Sequence, residues 1–510
     1  MLGRFTNQKT LALIAILSAI FALALTVVRV SSVFSLVEPV HNVTSGWEQE
    51  SLFALWKWVN DLPVYNDPRE LPFSISFYNW LYYEIYGVVT KAVLTTFSLS
   101  DDWLPTIGRT ITFFGAVLGS IISYFAFLEV AGVSSTAKIN TKLIAASFAG
   151  FIFFGPLVGF WVFTVRTDMW TLMLEAMAIL LFWKNYQSRP VRAVLLCAVA
   201  CYAAWSFKHI SVFAALTVGL WLMLQRDWRA LLIFTPILGA AYGGTLFLGN
   251  EEYFKSLFLT GELGFNLDLA IRNNINFILK SAPGLAVLGA ILVAVIGSKP
   301  FRKILIMDSG FQFALIGFFI SMILMVPGSA KDGAAENYFF LPSLFMGMLA
   351  IVAIARFEET QSQLAKSSTG SLFFGILSLG WVANFCAILI VFTGVRGVTS
   401  IKQNAKYYEQ GKACVKNLPT PFYVDEFYLS LPWVNPSRPI IYPGYNYGFQ
   451  RSKGYRFERG GIGGMISAGH FKALVLKGVV KEYDGADLSN FTLGPQCKDL
   501  QVYLYIPKTQ

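Results

Sequence analysis

Residues 45–68 read SGWEQESLFALWKWVNDLPVYNDP, and the reading of this stretch decides what kind of chain surrounds it. Leu52, Phe53, Leu55, Trp56 and Val59 recur at helical spacing among further aromatics, and Pro63 and Pro68 stop the run. The pattern predicts an amphipathic helix lying in a membrane interface. Residues 73–86, dense in Tyr, Trp and Phe and carrying Glu84, suit the headgroup level as well. Two acids, Glu48 and Glu50, stand where the first helix begins. Ser45-x-x-Glu48 also fits a capping box, in which the carboxylate reaches back to the backbone N–H of the cap, so the position alone does not separate capping from chemistry.

Outward from this stretch the chain turns apolar. It has 510 residues, 55% hydrophobic and 14% charged, which excludes an ordinary soluble core. Windows long enough to cross a bilayer fall near 10–30, 107–131, 143–162, 168–184, 192–207, 209–225, 229–249, 283–298, 309–327, 338–356 and 371–395. The expectation is an α-helical polytopic membrane protein with about eleven transmembrane helices. Run 10–30 follows Arg4 and Lys9, but it is too long for a cleavable signal and reads as a retained helix.

Lys138, Lys142, Lys184, Arg189, Arg192, Arg226, Arg229, Lys299, Arg302 and Lys303 fall in alternate loops, which the positive-inside rule assigns to the cytoplasmic side. The long segment 31–105 and the C-terminal segment 397–510 then both face outward. Hydropathy divides the chain into a membrane domain, 1–396, and an exoplasmic domain, 397–510, in which a helix at 401–417 and strand-like runs at 422–424, 439–442, 471–480 and 501–506 predict a small α/β module. Cys414 and Cys497 share an oxidising compartment in this topology and are expected to form a disulfide. Cys197, Cys201 and Cys386 lie inside spans, and no cysteine spacing suggests zinc. The C-terminal segment also carries most of the net charge of +10, densest at Arg451, Lys453, Arg456 and Arg459. Such a cluster attracts anionic lipid or an acidic glycan, and is otherwise a solvated face. No nucleic-acid recognition motif is present.

Charges at membrane depth are costly and therefore single themselves out. Arg166 and Asp168 in FTVRTDMW, Lys208 and His209 in SFKHIS, and Lys331, Asp332 and Glu336 in GSAKDGAAENYF all stand at outer ends of predicted spans. Each alone is equally well a helix cap or an interfacial anchor. Together, cations beside carboxylates suit a phosphate-linked donor and a hydroxyl acceptor: cations neutralise a departing phosphate and a carboxylate takes the proton of the attacking hydroxyl.

At these residues the chain resembles the GT-C fold of integral membrane glycosyltransferases, especially the protein O-mannosyltransferase and aminoarabinose transferase group that uses polyprenyl-phosphate sugars. The resemblance rests on order: one span, an outer loop opening GWEQE, then LPVYNDP and PFSISFYNWLYY, a VRTD turn, a KH turn, KDGAAENY, and a small exoplasmic domain at the end. It implies that Glu48 is the catalytic base, with Glu50 the second candidate because Glu48-Gln-Glu50 replaces the group's Asp-Glu pair. It further implies donor contacts from Arg166, Asp168, Lys208, Lys331, Asn337 and Tyr338, with His209 beside them.

The activity expected is an inverting transfer of a sugar from a polyprenyl-phosphate donor to an exoplasmic lipid, glycan or protein acceptor. No cofactor is implied; a divalent ion is a minor alternative, with Glu48 and Glu50 as its ligands. The expected setting is a bacterial plasma membrane with site and C-terminus on the periplasmic side. A flippase for lipid-linked sugars would show internal repeats, and a membrane oligosaccharide polymerase or ligase would carry its large loop late. The sequence has neither feature.

Overall fold

The computed structural model describes residues 7–34, 48–133, 139–259, 264–359, 368–393, 398–426, 429–497 and 502–508. In chain order its helices are α1 (Gln8–Phe34), α2 (Glu48–Val59), α3 (Trp80–Phe97), α4 (Leu104–Val130), α5 (Ile139–Phe154), α6 (Asp168–Tyr186), α7 (Pro190–Phe207), α8 (Phe213–Leu224), α9 (Trp228–Leu248) and α10 (Glu251–Leu259). They continue as α11 (Leu267–Lys280), α12 (Ala282–Gly297), α13 (Lys299–Met307), α14 (Ser309–Gly328), α15 (Phe340–Glu359), α16 (Ser368–Thr393), α17 (Val398–Val415), α18 (Asn446–Ser452) and α19 (Gly461–Ser467). The strands are β1 (Phe422–Val424), β2 (Ala473–Lys477), β3 (Glu482–Tyr483), β4 (Ala486–Asp487), β5 (Phe491–Cys497) and β6 (Val502–Pro507).

Each predicted span overlaps a helix, although 143–162 overruns α5, which ends at Phe154, and among the described residues only seven helices are long and apolar enough to cross a membrane, or eight if the bent pair α11 and α12 counts as one. α5 and α8 are too short, and α6 carries Asp168, Glu175 and Lys184. The pair α11 and α12 bends by 76° around Ser281, next to Pro283, which has no N–H to continue the ladder. Lipid as solvent explains α9, whose apolar window is only 11% buried.

The described chain falls into two compact units. The first comprises residues 1–31, 111–248 and 264–397, and the second 32–110, 249–263 and 398–510. Hydropathy drew the boundary at 396/397 instead. It separates apolar from polar chain, but it cannot show that distant polar segments pack on one another.

In the first unit α15 is the core helix, with 94% of its apolar window buried against α5, α12 and α14. α14 approaches it at Gly317, where any Cβ would strike the Phe345 ring. α11 has polar groups on its inner face. Asn273 donates to the carbonyls of Ser329 (3.0 Å) and Ala334 (3.2 Å), and Lys280 to Glu336 (2.6 Å), which pins the segment KDGAAENY between α14 and α15.

In the second unit a four-stranded sheet runs β1-β2-β6-β5, with β1 and β2 parallel and the other pairs antiparallel. Leu474 and Leu476 of β2 face one cluster, with Ile462, Met465 and Phe73, while Ala473 and Val475 face another, with Tyr408 and Val415. The α/β module is therefore present, although Pro439 and Pro443 keep residues 439–442 out of the sheet. Tyr442 N–H instead donates to Pro72 O (2.8 Å) and Gly444 N–H to Phe73 O (2.9 Å). The Phe53 and Tyr442 rings stack at 4.3 Å. α2 is consequently no interfacial helix, since every side chain from Glu48 to Lys57 is buried. Protein rather than headgroup covers its polar face.

One pair anchors α2. Arg109, inside α4, donates from Nε to Glu48 Oε1 and from Nη2 to Glu48 Oε2, both at 3.0 Å, and neither side chain is exposed. The planar fork matches the carboxylate, which is what makes such burial tolerable. Glu48 thus spends its charge on Arg109; Ser45, its partner in the capping reading, lies outside the described residues.

Two expectations follow. Arg109→Leu strands a buried carboxylate and should cost about 3–5 kcal/mol, whereas Glu48→Leu/Arg109→Leu recovers most of it; thermal unfolding of the purified protein in detergent reads both, and equal losses would show that the pair is not coupled. Phe73→Ala should cost about 3–5 kcal/mol and speed protease cleavage of the C-terminal segment; unchanged cleavage would separate the loop from that segment.

Candidate active site

The sequence-predicted residues gather in two places, one in each unit. In the first unit Asp168 is the hub. A 3-10 turn at Gly159–Phe163 ends in extended Thr164, and Asp168 then opens α6, where an acid favours the N-terminal dipole. Lys208 caps the C-terminus of α7, the end that favours a cation. Its Nζ lies 2.7 Å from Asp168 Oδ1, which also accepts from Asn337 Nδ2 at 2.8 Å. Arg166 Nε stands 3.3 Å from Asp168 Oδ2, with its guanidinium over the Trp161 ring at 4.1 Å. Lys208 Nζ is 5.9 Å from the centre of the Tyr338 ring.

Asp168, Lys208, Ser211, Asn337 and Tyr338 line one cavity. His209 follows Lys208 in the turn before α8, and burial, with Lys331 and Lys208 nearby, lowers its imidazole to about 4. It is a neutral hydrogen-bonding group at neutral pH. Lys331 has no ion pair among the described residues, and burial lowers its ammonium below the usual lysine range. Glu336 is turned away, paired with Lys280 at 2.6 Å. Arg166 and Lys208 therefore flank the Asp168 carboxylate, and Lys331 stands near His209; this local excess of cations suits an anion.

In the second unit the two acids of α2 have different fates. Both Glu48 oxygens face Arg109. Glu50, equally buried, accepts the Tyr445 N–H at 2.8 Å through Oε1, while Oε2 has no hydrogen-bond partner among the described residues. Burial pushes its carboxyl up to about 8, against the Tyr445 N–H and Lys57, which favour the charged form. Burial likewise lowers Lys57 to about 7, opposed by Glu50. Lys57 is held by Val64 O (2.5 Å) and Asn66 Oδ1 (2.7 Å). Desolvation outweighs attraction in both groups, so each sits near neutrality instead of forming a fixed ion pair.

Arg109 faces both oxygens of Glu48 and the Tyr445 N–H reaches one oxygen of Glu50, and among the described residues no three His, Cys, Asp or Glu side chains converge.

The basic run of the C-terminal segment does not converge either. Arg451 pairs with Asp484, Lys453 lies over Phe449 and Arg459 beside Glu458. Cys414 is disulfide-bonded, and Cys197, Cys201 and Cys386 are free. Cys497 ends β5 with its side chain outside the described residues.

Sequence reasoning missed Arg109, Lys57 and Tyr445. An arginine inside an apolar 27-residue helix is itself a signal, since such a charge must find a partner. Nothing local marks Tyr445, which contributes only its backbone.

No protein-family model and no curated protein matches the chain. Solved structures do. The Archaeoglobus fulgidus oligosaccharyltransferase tethered with an acceptor peptide containing the NVT sequon aligns at a TM-score of 0.50 and 12% identity, over 92% of this chain and 69% of that one. The oligosaccharyltransferase of the same organism in complex with Zn and sulfate gives 0.48 at 13% identity, over 85% and 62%. Archaeal oligosaccharyltransferase AglB from A. fulgidus, with an inhibitory peptide and a dolichol-phosphate, gives 0.45 at 12%, over 86% and 64%. The chain spans 62% of the length of the Zn and sulfate structure and 69% of the one that aligns at 0.50. At such identity the likeness is one of fold, and it does not single out the narrower O-mannosyltransferase and aminoarabinose transferase group. The chain has the GT-C fold of membrane glycosyltransferases.

Proposed function

We propose that the protein is an inverting glycosyltransferase that takes one sugar from a polyprenyl-phosphate carrier and passes it to an acceptor hydroxyl in a single displacement. Arg166 and Lys208 on Asp168, with Lys331 near the adjacent His209, in a chain of this fold, carry the reading. The acceptor oxygen forms a bond to the anomeric carbon as the bond from that carbon to the phosphate oxygen breaks. The electron pair leaves with polyprenyl phosphate, whose charge the three cations stabilise. A phosphate leaves as an anion, so no general acid is needed on that side. Asp168 and Asn337 orient Lys208, and Tyr338 and His209 supply neutral contacts to the donor.

The proton of the acceptor hydroxyl goes to a carboxylate of α2. Glu48 was the first expectation, but its pairing with Arg109 favours Glu50, whose Oε2 is unpartnered among the described residues and whose carboxyl lies near the working pH. Glu48 then acts as a positioning residue. The bonded state of Cys414 supports an oxidising, exoplasmic side for the second unit, with Cys497 as its proposed partner, in a plasma membrane.

Purified protein incubated with polyprenyl-phosphate sugars and candidate acceptors tests the reading. Transfer is expected, and movement of the donor across a bilayer without transfer would establish a flippase instead. Lys208→Ala should lower kcat by about 10²–10³-fold with folding intact. Glu50 must lose its proton before it can accept one, so kcat/KM should rise with pH through about 8 and then level. Glu50→Gln should remove that limb and lower kcat by about 10²–10⁴-fold. Should Glu48→Gln remove the limb while Glu50→Gln keeps it, the base is Glu48.

A further inference from the structure

Besides the candidate site, the second unit holds a cavity of 390 Å³ lined by Asp67, Arg69, Phe254, Lys255, Gln450 and Tyr455, among others. That size is in the range of small-molecule sites. Three segments distant in sequence build it: the end of the LPVYNDP run, α10 and the end of α18. α10 is fixed to the first of these by Tyr253, which donates to Asn79 Oδ1 at 2.6 Å and sets its ring edge-on to Tyr65.

The polar wall is preassembled. Asp67 accepts from Arg69 Nε (2.9 Å), Arg69 Nη2 (2.6 Å) and Lys255 Nζ (2.9 Å), and the hydrogen bonds from Arg69 hold its carboxyl well below the usual carboxylate range. Gln450 is 2% exposed, yet its Oε1 has no hydrogen-bond partner among the described residues. A buried amide oxygen left open costs stability unless something else supplies a donor. The opposite wall is aromatic, with Phe254 and Phe258 nearly parallel, 6.1 Å apart.

We infer that this cavity binds a sugar ring of the acceptor, which makes the acceptor a glycan. The inference rests on the glycosyltransferase reading for the word acceptor, but the binding itself does not. A pyranose presents hydroxyl donors for Gln450 Oε1 and Asp67, hydroxyl acceptors for Arg69 and Lys255, and a C–H face for Phe254. A phosphate headgroup would satisfy the two cations but would meet Asp67 with like charge and bring Gln450 Oε1 no donor.

The test uses the full chain in phosphatidylcholine nanodiscs, which avoids sugar-based detergent, titrated with cellotriose, maltotriose and trigalacturonic acid by saturation-transfer NMR. At least one should bind saturably. Phe254→Ala and Gln450→Leu should each weaken that binding at least tenfold, and Asp168→Asn should leave it within twofold. The inference is overturned by saturable binding of none of the three, by binding that neither variant weakens, or by binding abolished when phosphatidylglycerol replaces phosphatidylcholine, which would assign the cavity to lipid. Saccharide binding without glycosyl transfer would retain this site while sinking the proposed activity, and transfer to a peptide with no saccharide binding would do the reverse.

Discussion

A guanidinium that nowhere meets water has to meet a carboxylate, and Arg109 meets both oxygens of Glu48. Much of the second unit follows from that demand. It fixes the first turn of α2 and so fixes Glu50, one half-turn on, under the backbone of Tyr445. Two acids two residues apart thereby acquire opposite characters, one held by a permanent cation and the other left near neutrality by burial. A pair of this kind contributes little net stability over an apolar substitute, but it specifies one arrangement, because every alternative strands a charge.

The first unit solves the inverse problem. It holds two cations on one acid, with a third, Lys331, near His209, so positive charge is in local excess. Asp168 serves as the peg on which Arg166, Lys208 and Asn337 are hung, which fixes their positions before any ligand arrives. Preorganised donors act without reorganisation at the moment of reaction, and that is worth most where water is scarce.

How much of this was legible in the sequence depended on the range of the interaction. Local periodicity located the apolar helices, while overcounting those long enough to cross a membrane, and the α/β character of the C-terminal segment. The VRTD, KH and KDGAAENY turns were found because ionisable residues are rare beside apolar windows, and the structure brings Arg166, Asp168, Lys208 and Asn337 together. What could not be read was pairing across distance. Residues 45–59 have the pattern of an interfacial helix, yet Tyr442 and its neighbours cover the face assigned to headgroups. Periodicity reports that a face needs cover, and does not say whether lipid or protein provides it. Residues 439–442 erred in the opposite direction, where β-like composition lost to two prolines that cannot donate to a ladder.

The hydrogen bond from Tyr445 to Glu50 joins residues 395 apart in sequence. A chain lengthening by about 5–20 residues per second takes on the order of tens of seconds to make that span. Until then α2 has no Tyr442 ring to stack on and Phe73 no sheet to enter, and Glu50 remains in water with an ordinary acidity. Glu50 acquires its buried surroundings only after residue 445 has been made. During the wait the aromatic first loop is without the protein cover it has in the finished fold.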